Sequence, residues 1–212
     1  MLVVWGRRTS SNVQALMWCI GELGLAYKRH DVGHKFGGTD TEAFGRLNPN
    51  RSVPVLQDGS NSPLWETGAI LRYLANRYAG EPFWPAELIA RTEVDRWAEW
   101  AKINIAMGFT GPVFWRVVRM PASDCDPDAI RQAVLALEDK LAIAEARLAS
   151  QPYLVGQALS LADIQFGHVL FRYFDIGVDR ADLPNLAAYY ARLTERPAYR
   201  EHVMVSYDDL RA

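Results

Sequence analysis

Four consecutive polar residues, Thr9-Ser10-Ser11-Asn12, separate a short apolar run, Leu2 to Gly6, from a stretch where Val13, Leu16, Met17, Ile20 and Leu23 recur at helical spacing. Three hydroxyls and a carboxamide at the mouth of a helix can do two things. Ser11 or Asn12 can cap the helix by accepting from a free backbone N–H. The group can also present donors to an anion, which the helix dipole and the unpaired N–H groups favour at that end. From the local sequence alone, capping is the simpler reading.

Two further pairs carry chemical potential. Val53-Pro54 opens a brief apolar segment, Val53-Pro54-Val55-Leu56, and in isolation reads as an ordinary proline at the start of an edge strand. Glu66-Thr67 opens a helix carrying Ile70, Leu71, Leu74 and Tyr78. An acid and a hydroxyl in a first turn complement the dipole, and they also suit the charged ends of a ligand. The four histidines and two cysteines show no metal spacing. Cys19 reads as a small core residue, and His168, on an apolar stripe, as a core histidine.

These residues need a scaffold. Leu2 to Gly6 has strand length, the helix after it stops at Gly24, and Ala26 to Val32 alternates as a half-buried strand would. A glycine-rich bend, Gly33 to Gly38, leads to a short helix from Thr41 towards Asn48-Pro49. Val53 to Leu56 and Ser62 to Trp65 flank the turn signal Asp58-Gly59-Ser60-Asn61. The order β-α-β, α, β-β-α predicts a small mixed sheet with helices packed on it over residues 1–80. Glu81-Pro82-Phe83-Trp84-Pro85 marks the boundary, with a linker at 81–86 in which Phe83 and Trp84 wedge the halves together.

Beyond it, over 87–212, strand signals vanish. Val94, Trp97, Ala98, Ala101, Ile105 and Gly108 form one helical stripe, and Ile130, Val134, Leu137, Leu141 and Leu148 another. Ser160-Leu161-Ala162-Asp163 reads as a capping box with Asp in place of Glu, opening a helix through Leu161, Ile164, His168 and Phe171. Pro184 and Pro197 suit first turns of two more. Arg96, Trp100, Ile103, Met107 and Phe114 fall on a different face from the Val94–Trp97 stripe. That second face either lines an apolar pocket or is buried in a central helix. Trp115, Arg116 and Arg119, near its far end, reach either the cleft or solvent.

Composition excludes several classes. Half of the 212 residues are apolar, 23% are charged and the formal net charge is -2. That is an ordinary globular balance, and it argues against nucleic-acid or anionic-membrane partners. No apolar run approaches the length of a membrane span. The charges at Arg7-Arg8 follow the first apolar stretch, the reverse of a secretory signal. The two cysteines offer neither a disulfide framework nor a CxxC pair. A cytoplasmic protein is the expectation.

The order of these segments resembles the cytosolic glutathione transferases over essentially the whole chain. The resemblance rests on Thr9-Ser10-Ser11-Asn12 after the first strand and on Leu47-Asn48-Pro49-Asn50 leading into Val53-Pro54-Val55-Leu56. It rests also on Leu64-Trp65-Glu66-Thr67-Gly68-Ala69-Ile70, and on Leu154-Val155-Gly156 followed by Ser160-Leu161-Ala162-Asp163-Ile164. It implies an α+β thioredoxin-like N-terminal domain, an all-α C-terminal domain contributing an electrophile pocket, and a homodimer. Glutathione is then the co-substrate and no metal is needed.

The resemblance also implies roles. Aligned without gaps back from Tyr27, Ser10 falls where theta-, delta- and zeta-class proteins carry a thiol-activating serine. Asn12 falls where beta-class proteins carry cysteine and nu-class proteins asparagine. Ser10 leads, Asn12 follows, and Ser11 and Thr9 stay in contention. The tyrosine of the alpha, mu and pi classes has no counterpart in this turn. Val53 is implied to pair through its backbone with the cysteinyl part of glutathione, before a cis Pro54. Thr67 would hold the γ-glutamyl carboxylate and Glu66 the ammonium group, with Arg51, Lys35 or His34 for the glycyl carboxylate. A free thiol titrates near about pH 8.5. Lowering that by two units needs roughly 2.7 kcal/mol of preferential thiolate stabilisation.

The leading expectation is thiolate transfer to a small hydrophobic electrophile, with Arg96, Trp100, Ile103, Met107 and Phe114 as its pocket. Glutathione-dependent disulfide reduction, zeta-type isomerisation and a non-catalytic glutathione-binding module are the alternatives. The zeta motif Ser-Ser-Cys becomes Ser10-Ser11-Asn12 here, which counts against the isomerase.

Overall fold

Leu2 and Val4 are buried and Val3 and Trp5 half-buried, the alternation of a strand between two layers. A computed structural model describes residues 1–212 apart from the side chain of Ala122. Its sheet has the order β2-β1-β3-β4, with β1 at Leu2–Trp5, β2 at Tyr27–His30, β3 at Val55–Asp58 and β4 at Leu64–Trp65. β1 runs parallel to β2, and β3 antiparallel to both its neighbours. The parallel pair needs a crossover, which helix α1 (Ser11–Glu22) supplies before the chain reverses at Gly24, where φ is +63°.

The strands differ in detail from the sequence expectation. β3 begins at Val55 rather than Val53, because Pro54 brings no N–H to the ladder. β2 is an edge strand whose Tyr27 and Lys28 are exposed, not a half-buried one. Helix α2 (Glu42–Leu47) is capped by Thr41, whose hydroxyl accepts from Phe44 N–H at 3.2 Å. Helix α3 (Thr67–Tyr78) closes the first half.

The second half is helical. α4 (Leu88–Trp100) starts on Glu87, whose carboxylate accepts from the N–H groups of Ile89 and Ala90. It runs on through a π-helical segment, Ala101–Ala106, then α5 (Met107–Phe109) and a second π-helical segment, Thr110–Arg119. α6 (Pro127–Leu148), α7 (Leu161–Gly167), α8 (Leu170–Asp175), α9 (Pro184–Thr194) and α10 (Pro197–His202) follow. Pro184 and Pro197 open α9 and α10. Asp163 is fully buried and accepts from Ser160 N–H and Oγ, from Leu154 N–H and from Tyr189 Oη. One carboxylate thus ties α7 to the preceding loop and to α9.

The sequence predicts one helix through Leu161, Ile164, His168 and Phe171, but the chain breaks after Gly167. Tyr199 Oη donates to the Gly167 carbonyl at 2.9 Å, taking an acceptor from the helical ladder. Trp18 and Leu193 press so closely that a Cβ at Gly167 would lie 2.9 and 2.6 Å from them.

The two halves share one apolar core. Every residue of α1 from Val13 to Ile20 is buried, as in a helix enclosed on all sides, and α1 packs on α3, α7 and α10. Trp84 Nε1 donates to Asn76, and the Phe83 carbonyl accepts from Leu161 N–H. Among the described residues, no helix is long and apolar enough to cross a membrane.

Candidate functional site

Sheet register decides where the chemistry gathers. Trp5 pairs with Val55, and Val55 with Trp65, so the chain leaving β1, the chain entering β3 and the chain leaving β4 meet at one end of the sheet. Those segments are Thr9–Asn12, Val53-Pro54 and Glu66-Thr67. Trp5 also pairs with His30, which brings the bend containing His34 and Lys35 to the same end.

At this end lies a cleft cavity of about 290 Å³. Thr9, Ser10, Ser11 and Asn12 form one wall, and Val53, Ser52, Arg51, His34, Gly33 and Thr39 a second. The third comes from the helical half and the C-terminal turn, through Thr110, Phe114, Trp115, Arg119, Arg172 and Leu210.

Ser10 occupies the cap position of α1, yet its side chain makes no capping hydrogen bond. It is buried at 9% exposure and lines the cavity. Asn12 is oriented from across the cleft, because Lys102 Nζ donates to its Oδ1 at 2.8 Å. With the oxygen so occupied, the carboxamide keeps its N–H groups as donors. Burial pushes the Lys102 ammonium below its ordinary range, opposed by Glu66 and Glu99.

The Val53-Pro54 peptide is cis, and no backbone hydrogen bond among the described residues engages Val53. Its main-chain groups are open to strand-like pairing with an extended ligand. Glu66 stands at φ +68°, ψ 114°, an unfavourable backbone region for a side-chain-bearing residue and a frequent mark of functional turns. Its side chain makes no capping bond, and Thr67 is 3% exposed. The first-turn N–H groups of α3 therefore form an anion-favouring pole just outside the cavity walls.

The other sequence candidates separate. His34 lines the cavity. Arg51 does too, but its guanidinium is held by the carbonyls of Thr39, Asp40 and Thr41. Lys35 pairs with Asp209 at 2.8 Å and lies outside the cavity walls. Of the five residues expected on the electrophile face, only Phe114 lines the cavity. Arg96 pairs with Glu93, Trp100 packs on Trp97 and Phe166, and Ile103 and Met107 are 54% and 61% exposed.

The cause is helical winding. A face drawn at 3.6 residues per turn loses register across two π-helical segments, whose bonds span five residues. Trp115 and Arg119 reach the cleft, whereas Arg116 turns to the Ala129 carbonyl.

Sequence reasoning missed Lys102, Arg7 and Arg172. A signal existed for two of them: Lys102 is the sole charged residue between Glu99 and Arg116, and Arg172 the sole one between Phe166 and Phe174. His168 is 1% exposed, with Nδ1 3.2 Å from the Ile164 carbonyl. Among the described residues, no group of His, Cys, Asp or Glu is placed to hold a metal ion.

Residues 1–76 match the family described as the glutathione S-transferase N-terminal domain, and residues 110–197 its C-terminal domain. Glutathione S-transferase GstB of Escherichia coli (strain K12) is 33% identical over 206 residues, covering 97% of this chain and 99% of its own. The chain belongs to the glutathione S-transferase family. Mouse glutathione S-transferase theta-1 is 30% identical over 175 residues, 80% of this chain and 72% of that one. A theta-class glutathione S-transferase from Xanthomonas axonopodis pv. citri, solved with glutathione bound, shares 44% identity at a TM-score of 0.91. That match covers 97% of this chain and 98% of the other. The glutathione S-transferase fold expected from the sequence, a four-stranded mixed sheet with helices followed by a helical domain, is the fold observed. The chain is a transferase of this family by the same relatives.

Proposed function

We propose that this glutathione transferase activates the glutathione thiol as a thiolate and joins it to an electrophilic carbon of a small substrate with an apolar body. The observation that carries the reading is the convergence of Thr9–Asn12, the open Val53 backbone and the α3 N-terminus at one sheet end. Val53 pairs with the cysteinyl backbone, Thr67 and the α3 N–H groups take the γ-glutamyl carboxylate, and Glu66 takes the ammonium. His34 takes the glycyl carboxylate, with Arg51 holding the loop beside it.

The sulfur then lies over Thr9–Asn12, where Ser10 Oγ, free of any capping duty, donates to the thiolate. Phe114, Trp115 and Leu210 supply the apolar wall. Catalysis consists of thiolate stabilisation and proximity.

The test is Ser10→Ala. It removes most conjugation of an aryl halide, about 10²-fold for a lost anion donor, while glutathione binding survives. Full activity in that variant, with loss in Asn12→Ala, moves the role to Asn12. The Lys102–Asn12 contact favours a second reading, glutathione-dependent disulfide reduction with Asn12 donating to the sulfur. Parallel assays with an aryl halide, a disulfide and maleylacetoacetate separate transferase, reductase and isomerase. Tight glutathione binding with no turnover of any of them marks a binding module.

We further infer a cytoplasmic homodimer, with the exposed Ile103 and Met107 as apolar surface available to the second copy. Light scattering at twice the chain mass checks it, and a monomer refutes it.

A further inference from the structure

Four arginines line the cleft, Arg7, Arg51, Arg119 and Arg172, and no carboxylate does. Arg51 is occupied by loop carbonyls. The other three are not so well served. Arg172 is 3% exposed, its Nη2 donates to the Thr9 carbonyl at 2.7 Å, and its guanidinium stacks on Phe114 at 4.6 Å. Its Nε is buried without a partner, and so is the Nε of Arg7. Arg119 lies over the Trp115 ring at 5.2 Å.

The charges press on one another. Burial lowers Arg172 to about 10, with Arg7 pushing in the same direction. Burial and then Arg119 lower Arg7. The carboxylate that faces the group, Asp209, is already paired with Lys35. Gathering like charges with unmet donors in a half-buried cavity is unfavourable unless an anion completes them.

We propose that the second-substrate half of the cleft selects an electrophile bearing a carboxylate or similar anion on its apolar body, held by Arg7, Arg119 and Arg172 beside Phe114 and Trp115. The inference rests on the transferase reading above and names its substrate class. Glutathione's own carboxylates are assigned elsewhere, to the α3 N-terminus and to the His34 loop. These arginines lie where the helical half meets Thr9–Asn12, on the electrophile's side of the sulfur. For a chlorinated nitroarene the step balances simply. The thiolate forms the C–S bond, the C–Cl bond breaks, chloride leaves with the electron pair, and the thiol proton has already passed to solvent.

The test compares 4-chloro-3-nitrobenzoate with its neutral amide, each normalised to its uncatalysed rate with glutathione. Alongside, calorimetry on glutathione-saturated protein compares unreactive 3-nitrobenzoate with 3-nitrobenzamide. The carboxylates should be preferred in both measurements by about tenfold or more, as for a charge-assisted bidentate contact. Arg119→Met, at a half-buried position, should collapse that ratio, and Arg7→Met serves as a second variant because Arg172 also holds the Thr9 turn.

Equal binding and turnover of acid and amide by the wild-type protein overturns the proposal and leaves the transferase reading intact. Preferential binding of the acid with no turnover of either compound sinks the transferase reading and leaves the anion site standing. If Arg119→Met lowers both rates equally, or weakens glutathione and spares the ratio, the arginines serve the thiolate or glutathione and the proposal falls.

Discussion

Lys102 Nζ donates to Asn12 Oδ1 at 2.8 Å, joining the π-helical segment of the second half to the first turn of α1. The contact fixes which end of the carboxamide faces the cleft. Lys102→Met frees the amide to rotate and removes a positive charge beside the proposed sulfur site. We expect kcat to fall about tenfold, the worth of one charge-assisted hydrogen bond, with little change in glutathione affinity. Lys102→Arg should recover part of it. An unchanged kcat, with the bound thiol titrating as before, would show that Asn12 needs no orientation.

Thr67 is buried at the start of α3, in the first turn that the helix dipole makes favourable to an anion. Thr67→Val keeps the volume and removes the hydroxyl. Glutathione dissociation should rise about tenfold, since a hydrogen bond to a charged group contributes about 1.5–3 kcal/mol. Calorimetry with glutathione and with its γ-glutamyl-truncated dipeptide reads this directly. Loss of affinity for both to the same degree would place the carboxylate elsewhere.

His168 is fully enclosed, and burial, helped by Lys102, lowers it to about 3 from 6.5. The unfolded chain takes up a proton below 6.5 that the folded chain refuses, so this contribution is complete above that value and is lost as pH falls towards 3. Between about pH 7.5 and pH 5.5 it amounts to roughly 1.4 kcal/mol. Urea unfolding at both values should show that loss in the parent and not in His168→Gln. The same slope in both proteins would assign the acid sensitivity to other groups.

Gly167 has no room for a methyl group, with Leu193 at 2.6 Å and Trp18 at 2.9 Å from the Cβ position. Gly167→Ala should destabilise the protein by about 1–3 kcal/mol through overpacking, outweighing whatever helix propensity alanine adds at this last residue of α7. Thermal unfolding settles the sign. A stabilised variant would mean that the Trp18 ring yields freely.

Glycine and proline punctuation, together with strand and helix periods, made the first half legible. Thr9–Asn12, Val53-Pro54 and Glu66-Thr67 stand out because each interrupts a regular element. What brings them together is register, Trp5 with Val55 and Val55 with Trp65, which no local pattern encodes. The electrophile wall was the illegible part. A 3.6-residue period placed Ile103 and Met107 beside Phe114, and the π winding over Ala101–Ala106 and Thr110–Arg119 broke that register while bringing in Thr110. Arg7 and Arg172 come from segments far apart in the chain, and only tertiary packing makes neighbours of them.

The enclosure of α1 has a consequence for anyone who would cut the chain. Trp18 is fully buried, touches Tyr199 edge-on, and donates to Glu22, which Arg196 clasps with two nitrogens. The helix whose first turn lines the cleft is thus walled partly by residues some 170 positions downstream. Residues 1–80 alone would expose that wall as a raw apolar surface. Exchanging helical halves between relatives should yield soluble chimeras only when Gly167, Leu193, Arg196 and Tyr199 travel with the half they serve. The N-terminal half is therefore not a portable cassette but one side of a joint.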